Sequence, residues 1–226
     1  MNRSGTFRPA PWAYGRDGQR SRPTGGTTKR VFDVVGAWIL LVLLSPLFLT
    51  IAIVMRFADP GPLFFAHKRV GLGGRMFPCI KFRTMVMNSQ EVLEQVLATD
   101  PERAAEWRNA QKLRNDPRVT MLGRVLRETS LDELPQLFNV VRGEMSLVGP
   151  RPIVTDEKAR YGASIGAYES ARPGITGLWQ VSGRSDCTYE ERVGYDTDYV
   201  GNWSLLRDVG ILFRTVWVVM ARRGSC

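Results

Sequence analysis

The sequence predicts an α+β fold that is mainly helical and consists of a broken membrane helix, a short β-hairpin and a helical domain. Three observations predict it: an uncharged stretch at residues 34–55 with a proline in its middle, two short apolar runs around a glycine turn, and helical spacing of apolar residues through most of the remainder. We therefore expect a disordered basic tail at residues 1–28, a membrane helix at residues 29–57 and a folded domain at residues 58–226.

The composition favours an anionic partner. The chain has 226 residues and a formal net charge of +9, which suits nucleic acid, an anionic membrane surface or phosphate-rich substrates. It lacks zinc-ligand spacing, an RNP-like aromatic motif and a basic-zipper pattern, so we expect no nucleic-acid partner. Three cysteines without metal spacing fit a reducing compartment, and a single histidine, His67, argues against a multi-histidine metal site.

The first element is the uncharged stretch at residues 34–55, whose 22 residues are long enough to span a bilayer. Pro46 removes a backbone donor and clashes with the preceding turn, so a helix must bend or break there. Ser45 can bond the carbonyl that the proline frees. Basic residues flank both ends, and positive residues prefer the cytoplasmic side. We therefore expect a re-entrant helix that turns at Ser45-Pro46 and anchors the protein in membrane lipid; a cleaved signal and a buried core helix are weaker alternatives.

The elements that follow are a hairpin and several helices. Residues 63–70 and 76–82 have the pattern of strands around a glycine turn, which lacks the Lys-Ser/Thr of a phosphate-binding loop. Residues 89–113, broken at Asp100-Pro101, and residues 119–126 have helical patterns. Residues 205–220 are predicted to form an amphipathic helix, which suits either the membrane interface or packing on the protein core.

Asp132 and Glu133 stand side by side in the segment that is densest in chemistry. Pro135 is tolerated only in the first turn of a helix, so we expect the helix to begin near Asp132, run through Val141 and end at Gly143. Two acids in a first turn are also ordinary helix caps, and on this segment alone a cap is the simpler interpretation.

The surrounding cations change that interpretation. A set of basic residues lies at the end of a predicted strand and in Pro/Gly-rich segments: Lys81, Arg83, Arg127, Arg151, Arg172 and Arg184. Cations held near two carboxylates suit phosphoryl transfer, because the cations neutralise the phosphates. One carboxylate can hold Mg²⁺ and the other can attack phosphorus.

Four segments, in this order along the chain, resemble the motifs of one family. They are Lys81-Phe82-Arg83-Thr84-Met85, Ser130-Leu131-Asp132-Glu133-Leu134-Pro135-Gln136-Leu137, Val148-Gly149-Pro150-Arg151-Pro152 and Arg172-Pro173-Gly174-Ile175-Thr176-Gly177-Leu178-Trp179-Gln180. On these segments the chain resembles the bacterial sugar transferases, the monotopic polyprenyl-phosphate phosphoglycosyl transferases, over essentially residues 29–223. It looks most like their short, exopolysaccharide-initiating galactose-1-phosphate transferases of the succinoglycan type, which lack four preceding transmembrane helices.

The resemblance implies an enzyme of the bacterial inner membrane with its catalytic domain on the cytoplasmic face. Such an enzyme moves a hexose-1-phosphate, galactose or glucose, from a UDP-sugar to undecaprenyl phosphate and releases UMP by a ping-pong mechanism. Asp132 matches the nucleophile that forms an aspartyl phosphosugar, and Glu133 matches its partner carboxylate; we expect the two to hold Mg²⁺. The residues expected to bind substrate are Lys81, Arg83, Arg127, Arg151 and Arg184.

The alternative from another class is a non-catalytic membrane scaffold for polysaccharide assembly. A scaffold would keep the basic, re-entrant anchor but would need no carboxylate pair. The sequence leaves the hexose and the oligomeric state open, with a homodimer among the alternatives.

Overall fold

The computed structural model describes residues 23–110, 113–183 and 187–220, so most of the tail predicted to be disordered lies outside the described residues. The described chain is mainly helical. Its helices are α1 (Gly26–Leu43), α2 (Ser45–Ala58), α3 (Ser89–Thr99), α4 (Pro101–Ala110), α5 (Met121–Glu128), α6 (Gln136–Arg142), α7 (Lys158–Tyr161), α8 (Ile165–Glu169), α9 (Leu178–Ser182), α10 (Tyr189–Gly201) and α11 (Leu205–Met220). Its strands are β1 (Phe64–Val70), β2 (Met76–Phe82), β3 (Ser146–Val148) and β4 (Gly174–Thr176).

Helices α1 and α2 form the broken helix that the sequence predicts, and they are bent by 59°. The Ser45 hydroxyl donates to the Val42 carbonyl at 2.8 Å, which is the acceptor that Pro46 leaves without its usual donor. The predicted break and the role of Ser45 are therefore confirmed. Within the described residues, no single helix is long and apolar enough to cross a bilayer; by length and composition alone, this bent pair could do so together.

Strands β1 and β2 form the predicted antiparallel hairpin, with Phe64 opposite Phe82 and Val70 opposite Met76. The turn between them is closed by Gly73 and Gly74, whose φ angles are 63° and 73°. Glycine adopts this left-handed conformation without steric cost, so the glycine run forms a tight turn.

The next helices agree with the sequence pattern to within a few residues. Helices α3 and α4 are separated at Asp100-Pro101, where the Asp100 carboxylate caps α4 by accepting from two amides of its first turn at 3.1 Å. Helix α5 begins at Met121 and not at residue 119, because the Thr120 hydroxyl accepts from the Gly123 amide at 2.9 Å and fixes the cap.

The sequence pattern does not predict β3 and β4, a parallel pair of three-residue strands in which Ser146 pairs with Gly174 and Val148 with Thr176. The two chains approach so closely that a Cβ at Gly149 would lie 2.4 Å from the Arg172 carbonyl oxygen. Only glycine fits at this position, and the close approach fixes the start of the loop that carries the predicted site residue at position 151.

The main core lies where α1, β2, α6 and β3 meet the C-terminal helices. Its buried residues are Ala37, Phe77, Cys79, Leu137, Val140, Met145, Leu147, Val148, Tyr199 and Ile211. A second cluster packs α2 against β2 and α5, through Ile51, Met55, Phe82 and Leu126. Both halves of the bent helix pair are therefore joined to the domain by buried apolar contacts.

A buried ionic network also joins α1 to α11. The Lys29 ammonium lies 2.7 Å from an Asp208 oxygen and 3.3 Å from an Asp33 oxygen. Asp33 also accepts from the Leu147 amide at 3.1 Å, and Asp208 accepts from the Tyr199 hydroxyl at 2.8 Å. Because buried charges are stable only when they are paired, this network fixes the position of α1 on the domain.

Helix α11 is the amphipathic helix that the sequence predicts, and its two faces have different surroundings. Asp208 and Ile211 are buried against the protein, whereas Leu206, Phe213 and Trp217 are 84%, 75% and 71% exposed. Large apolar side chains of α1 and α2 are exposed as well: Val31, Val35, Trp38, Ile39, Val42, Leu43, Leu49, Ile53, Val54 and Phe57. Helix α11 thus packs on the core with one face and offers an apolar contact surface with the other.

Candidate active site

The carboxylate pair lies in a 3-10 turn, Leu131–Glu133, between α5 and α6. Ser130 precedes the turn with a φ of 58°, and it is the one residue other than glycine with a positive φ in the part of the chain that the structure describes. A left-handed serine costs conformational energy, and such residues concentrate at functional sites.

The prediction that the following helix begins near Asp132 is wrong, because α6 begins at Gln136. Pro135 has no amide hydrogen, so the α-helical bond back to Leu131 cannot form and the carboxylates stay in the 3-10 turn. The predicted end is confirmed: Gly143 caps α6 with a φ of 86°.

The two carboxylates converge on Lys81 of β2. Its ammonium lies 2.6 Å from Glu133 Oε1 and 3.5 Å from Asp132 Oδ2. No side-chain cap bond forms at the start of the turn. The interpretation of the pair as a helix cap is therefore wrong, and the pair and Lys81 form one electrostatic unit.

The protonation of the pair differs between its two members. Burial raises the pKa of Asp132 above its usual range, and Lys81 opposes this rise. Burial would raise the pKa of Glu133 too, but the nearby Lys81 and Arg151 outweigh it and lower that pKa. The same carboxylates outweigh the burial of Lys81 and raise its pKa, so the lysine is held as a cation.

Lys81 and Glu133 line a small cavity of about 30 Å³. Its wall contains Arg69, Cys79, Lys81, Glu133, Gln136, Arg151, Pro152, Ile175 and Gln180. One water needs roughly 10–15 Å³ by this measure, so the cavity has room for two or three waters, and a phosphate or a larger ligand would extend out of it.

Two more of the predicted basic residues lie beside this unit. Arg151 lines the cavity, and its guanidinium lies 5.4 Å from the centre of the Trp179 ring, in cation–π contact. Arg127 of α5 donates to the Thr84 hydroxyl at 2.8 Å. Burial lowers the pKa of Arg127, and the charge of Asp132 opposes this effect, which places the guanidinium within electrostatic reach of that carboxylate.

Of the predicted substrate-binding residues that the structure describes, Arg83 lies away from the cavity wall. Arg83 is buried, and its guanidinium is bonded to the carbonyl oxygen and, at 3.3 Å, to the carboxylate of Asp59, at the end of α2. Arg184 lies outside the described residues. Substrate binding by either residue stays a prediction.

Sequence reasoning missed three polar residues of the cavity wall: Arg69, Gln136 and Gln180. A usable signal exists for Arg69. Opposed residues of an antiparallel hairpin point to the same face, and the register pairs Arg69 with Phe77. Side chains alternate along a strand, so Phe77 shares its face with Cys79 and Lys81. The predicted hairpin therefore already puts Arg69 on the face that carries Lys81. Gln136 and Gln180 stand in two of the four motif segments, and tertiary packing brings them to the cavity wall.

The carboxylate pair fits a magnesium ion that is shared with a substrate. Carboxylate oxygens are hard ligands, and those of Asp132 and Glu133 converge on one point, now taken by the Lys81 ammonium. Among the described residues, no group of three or more His, Cys, Asp or Glu could hold a metal by itself. Magnesium commonly binds through one or two carboxylates plus substrate phosphates, and the pair supplies such a partial site.

This arrangement suits chemistry on an anionic phosphate. A buried carboxylate of raised pKa can act as a nucleophile only while nearby cations keep it ionised and offset the negative charge of the phosphate that it attacks. Lys81, Arg127 and Arg151 supply those cations.

Comparison with known proteins agrees with this site. The family described as bacterial sugar transferase matches residues 24–222. The exopolysaccharide production protein ExoY of Rhizobium meliloti is 53% identical over 204 residues, which cover 90% of this chain and 90% of that protein.

Two further relatives are longer proteins that the chain matches in part. The UDP-galactose-lipid carrier transferase of Erwinia amylovora is 57% identical over 197 residues, which cover 87% of this chain and 41% of that protein. The undecaprenyl-phosphate galactose phosphotransferase of Salmonella typhimurium is 55% identical over 197 residues, with the same coverage of each.

Proposed function

Because the chain belongs to the bacterial sugar transferase family, we propose that it transfers a hexose-1-phosphate from a UDP-sugar to undecaprenyl phosphate and releases UMP. This reaction is the first membrane step of exopolysaccharide synthesis. The observation that carries the proposal is the Asp132-Glu133 pair on Lys81, beside a small cavity lined by cations.

The first step is attack by an Asp132 carboxylate oxygen on the phosphorus that bears the sugar. The new bond joins that oxygen to phosphorus, and the bond from phosphorus to the bridging oxygen of the diphosphate breaks. UMP leaves with the electron pair, and the sugar phosphate stays on Asp132 as an acyl phosphate. In the second step, a phosphate oxygen of undecaprenyl phosphate attacks the same phosphorus and frees the carboxylate.

The cations of the site make the first step accessible. A carboxylate and a diphosphate repel each other, and this repulsion is strong in a site from which water is excluded. Lys81 lies against both carboxylates, and Arg127 and Arg151 lie within electrostatic reach of Asp132 and Glu133 respectively. Their charges stabilise the approach of the nucleophile and the charge that develops on the leaving phosphate.

Asp132 and Glu133 are the residues that would hold Mg²⁺, with the remaining ligands coming from the diphosphate and water. When bound, the ion neutralises charge on the transferring phosphoryl group and orients it. The Lys81 ammonium contacts Asp132 Oδ2 and Glu133 Oε1, so the ion would share the two carboxylates with the lysine.

The membrane is the place where this reaction has to occur, since the acceptor carries a long polyprenyl chain. The 59° bend at Ser45-Pro46 and the exposed apolar side chains of α1, α2 and α11 support a re-entrant anchor. Such an anchor leaves both ends of the helix pair, and the whole catalytic domain, on the cytoplasmic face of the inner membrane.

Galactose is the hexose that the comparisons favour. Two relatives, at 57% and 55% identity, are named for UDP-galactose and galactose respectively. Glucose is the alternative, and the donor panel in the test below separates the two.

The test is UMP release by the full chain in detergent with Mg²⁺, undecaprenyl phosphate and a panel of UDP-sugars. We expect multiple-turnover release with UDP-galactose that depends on the lipid and falls by about 10³-fold or more in Asp132→Asn. Asp156→Asn is a matched control, because Asp156 is an exposed acid in another 3-10 turn and should leave the rate unchanged. Folded wild-type protein that releases no UMP with any donor would contradict the proposal, and so would a near-normal rate in Asp132→Asn.

A further inference from the structure

Arg69 is a cavity residue to which neither the motifs nor the mechanism above gives a role. It lies on β1 and faces the cavity together with Cys79 and Lys81 of β2. Its neighbour Lys68 points to the other face of the strand and is exposed. Arg69 is thus a cation that the hairpin delivers to the site from the strand opposite Lys81.

The guanidinium of Arg69 is only loosely held. Among the described residues, its contacts are a 3.4 Å hydrogen bond to the Pro152 carbonyl and a 4.0 Å ion pair with Glu157. Glu157 lies closer to Arg192, at 3.3 Å, and accepts from the Val154 amide at 3.0 Å. An arginine has five N–H donors, so most of the donors of Arg69 remain available to a ligand, and Glu157 does not neutralise its charge fully.

The charges around the cavity call for an anion. Three cations line it (Arg69, Lys81 and Arg151) against the single carboxylate of Glu133. Burial lowers the pKa of Arg69, and the nearby Arg151 lowers it further, so the unliganded arrangement costs energy that a bound anion recovers. A diphosphate brings negative charge, which offsets this excess of cations on the wall.

Arg69 lines the cavity together with Glu133 and Arg151, whereas the nucleophile Asp132 is not part of its wall. Asp132 is electrostatically coupled to Lys81, Glu133 and Arg127. Arg69 and Arg151 are instead coupled to Glu133. In an in-line displacement the leaving phosphate lies opposite the attacking oxygen, so a group on the Glu133 side is positioned for the leaving phosphate.

We propose that Arg69 and Arg151 form a two-guanidinium clamp on the donor diphosphate, in which Arg69 binds the phosphate that leaves with UMP. The clamp rests on the proposed function, since it assigns a subsite for the donor of that reaction. Arg151 lies over the Trp179 ring in cation–π contact, and Arg69 closes on the diphosphate from the hairpin. Two planar guanidinium groups can each bind phosphate oxygens through two parallel hydrogen bonds.

The experiment compares binding of UDP and of uridine to the full chain in detergent with Mg²⁺, by calorimetry. We expect Arg69→Gln to weaken UDP binding by about 10- to 100-fold, because charge-assisted hydrogen bonds are lost. Arg69→Lys keeps the charge without the planar fork and should lose less. Uridine has no phosphate, so its affinity should be unchanged in both variants, and Lys68→Gln should bind both ligands like the wild type.

Two results would overturn the clamp. One is unchanged UDP affinity in Arg69→Gln. The other is an equal loss for UDP and uridine, which would mean that Arg69 only supports the loop at Pro152. UMP release by the wild-type chain is measured in parallel. If the wild type is active and Arg69→Gln keeps its UDP affinity, the clamp alone is rejected. If the folded wild type turns over no donor, the proposed function is rejected.

Discussion

At the scale of single residues, the site depends on a balance at Asp132. The residue is 8% exposed, and burial raises its pKa, while Lys81 at 3.5 Å acts in the opposite direction. A nucleophilic carboxylate has to be ionised yet poorly solvated, and the two opposing effects supply that combination. Lys81 therefore determines how much of the nucleophile is ionised at a given pH.

This balance predicts how the first step depends on pH. The rate of UMP release without acceptor should fall as the pH drops through the pKa of Asp132, at a pH above the ordinary aspartate value of 3.8. In Lys81→Met the opposing cation is gone, so the residual activity should fall at a still higher pH. The measurement is a single-turnover pH profile, with thermal melting at each pH to verify folding. An acid limb in Lys81→Met at or below that of the wild type would contradict this role of Lys81.

At the scale of elements, the break between α1 and α2 is the feature that the sequence specifies most directly. Pro46 cannot bond to Val42, and the Ser45 hydroxyl takes over that carbonyl, so the bend is locally satisfied and does not need the surrounding domain. A bend that satisfies its own backbone is one that a membrane segment can keep in lipid.

The re-entrant topology makes a prediction for labelling from outside the cell. Single cysteines are placed at the exposed Thr27 or Met121 in a chain freed of its own cysteines, and a membrane-impermeant maleimide is added to whole cells. Neither position should react until the cells are opened. Pro46→Ala combined with Ser45→Ala should straighten the pair and expose position 27 alone.

Thr50→Ala is the control for this experiment, because it removes a side-chain hydrogen bond to the Pro46 carbonyl but keeps the proline. It should leave the labelling pattern unchanged. Labelling of position 27 from outside in the native background would refute the re-entrant topology.

The sequence predicted some elements and missed others for physical reasons. The hairpin and helix α11 have a strong period of 2 or 3.6 residues, so local pattern was sufficient. Strands β3 and β4 are three residues long and pair across 28 residues, which leaves no periodic signal. The start of α6 was misplaced because Pro135 is compatible with both a first helical turn and the end of a 3-10 turn, and only the left-handed Ser130 distinguishes them.

The candidate site, like the fold, was predicted in part. Asp132, Glu133, Lys81 and Arg151 were singled out as a carboxylate pair with cations nearby, the motif resemblance added their roles, and the structure brings them together. Arg69 was missed because its role depends on the register of the hairpin and not on its neighbours in sequence. The cations recognised in the sequence therefore predicted the chemistry of the site, but they did not predict every residue that lines the cavity.

At the scale of the whole molecule, the bent pair has to be held at a fixed position relative to Asp132. Lys29, Asp33 and Asp208 supply a buried connection from α1 to α11, and Asp33 continues it to β3 through the Leu147 amide. The strand leads directly into the loop with Arg151. The membrane anchor and the phosphate-binding loop are thus joined through one polar network.

The network predicts a large loss of stability in Lys29→Met. Removing the ammonium leaves two buried carboxylates without their cation, which costs about 3–5 kcal/mol. Lys158→Met is the matched control: Lys158 pairs with Glu169 at 2.7 Å but is 39% exposed, and exposed pairs contribute about 1 kcal/mol or less. The measurement is unfolding of the full chain in detergent. A Lys29→Met variant as stable as Lys158→Met would show that apolar packing alone holds α1.

The central claim is that Asp132 carries the sugar phosphate between the two substrates. The most direct measurement is to incubate the full chain with UDP-galactose and Mg²⁺ without any lipid acceptor, and then to follow UMP and the mass of the peptide that contains Asp132. The account predicts stoichiometric UMP release and a hexose phosphate on Asp132 that undecaprenyl phosphate discharges. UMP release that begins only when donor and lipid are both present, with no adduct on the peptide, would contradict it.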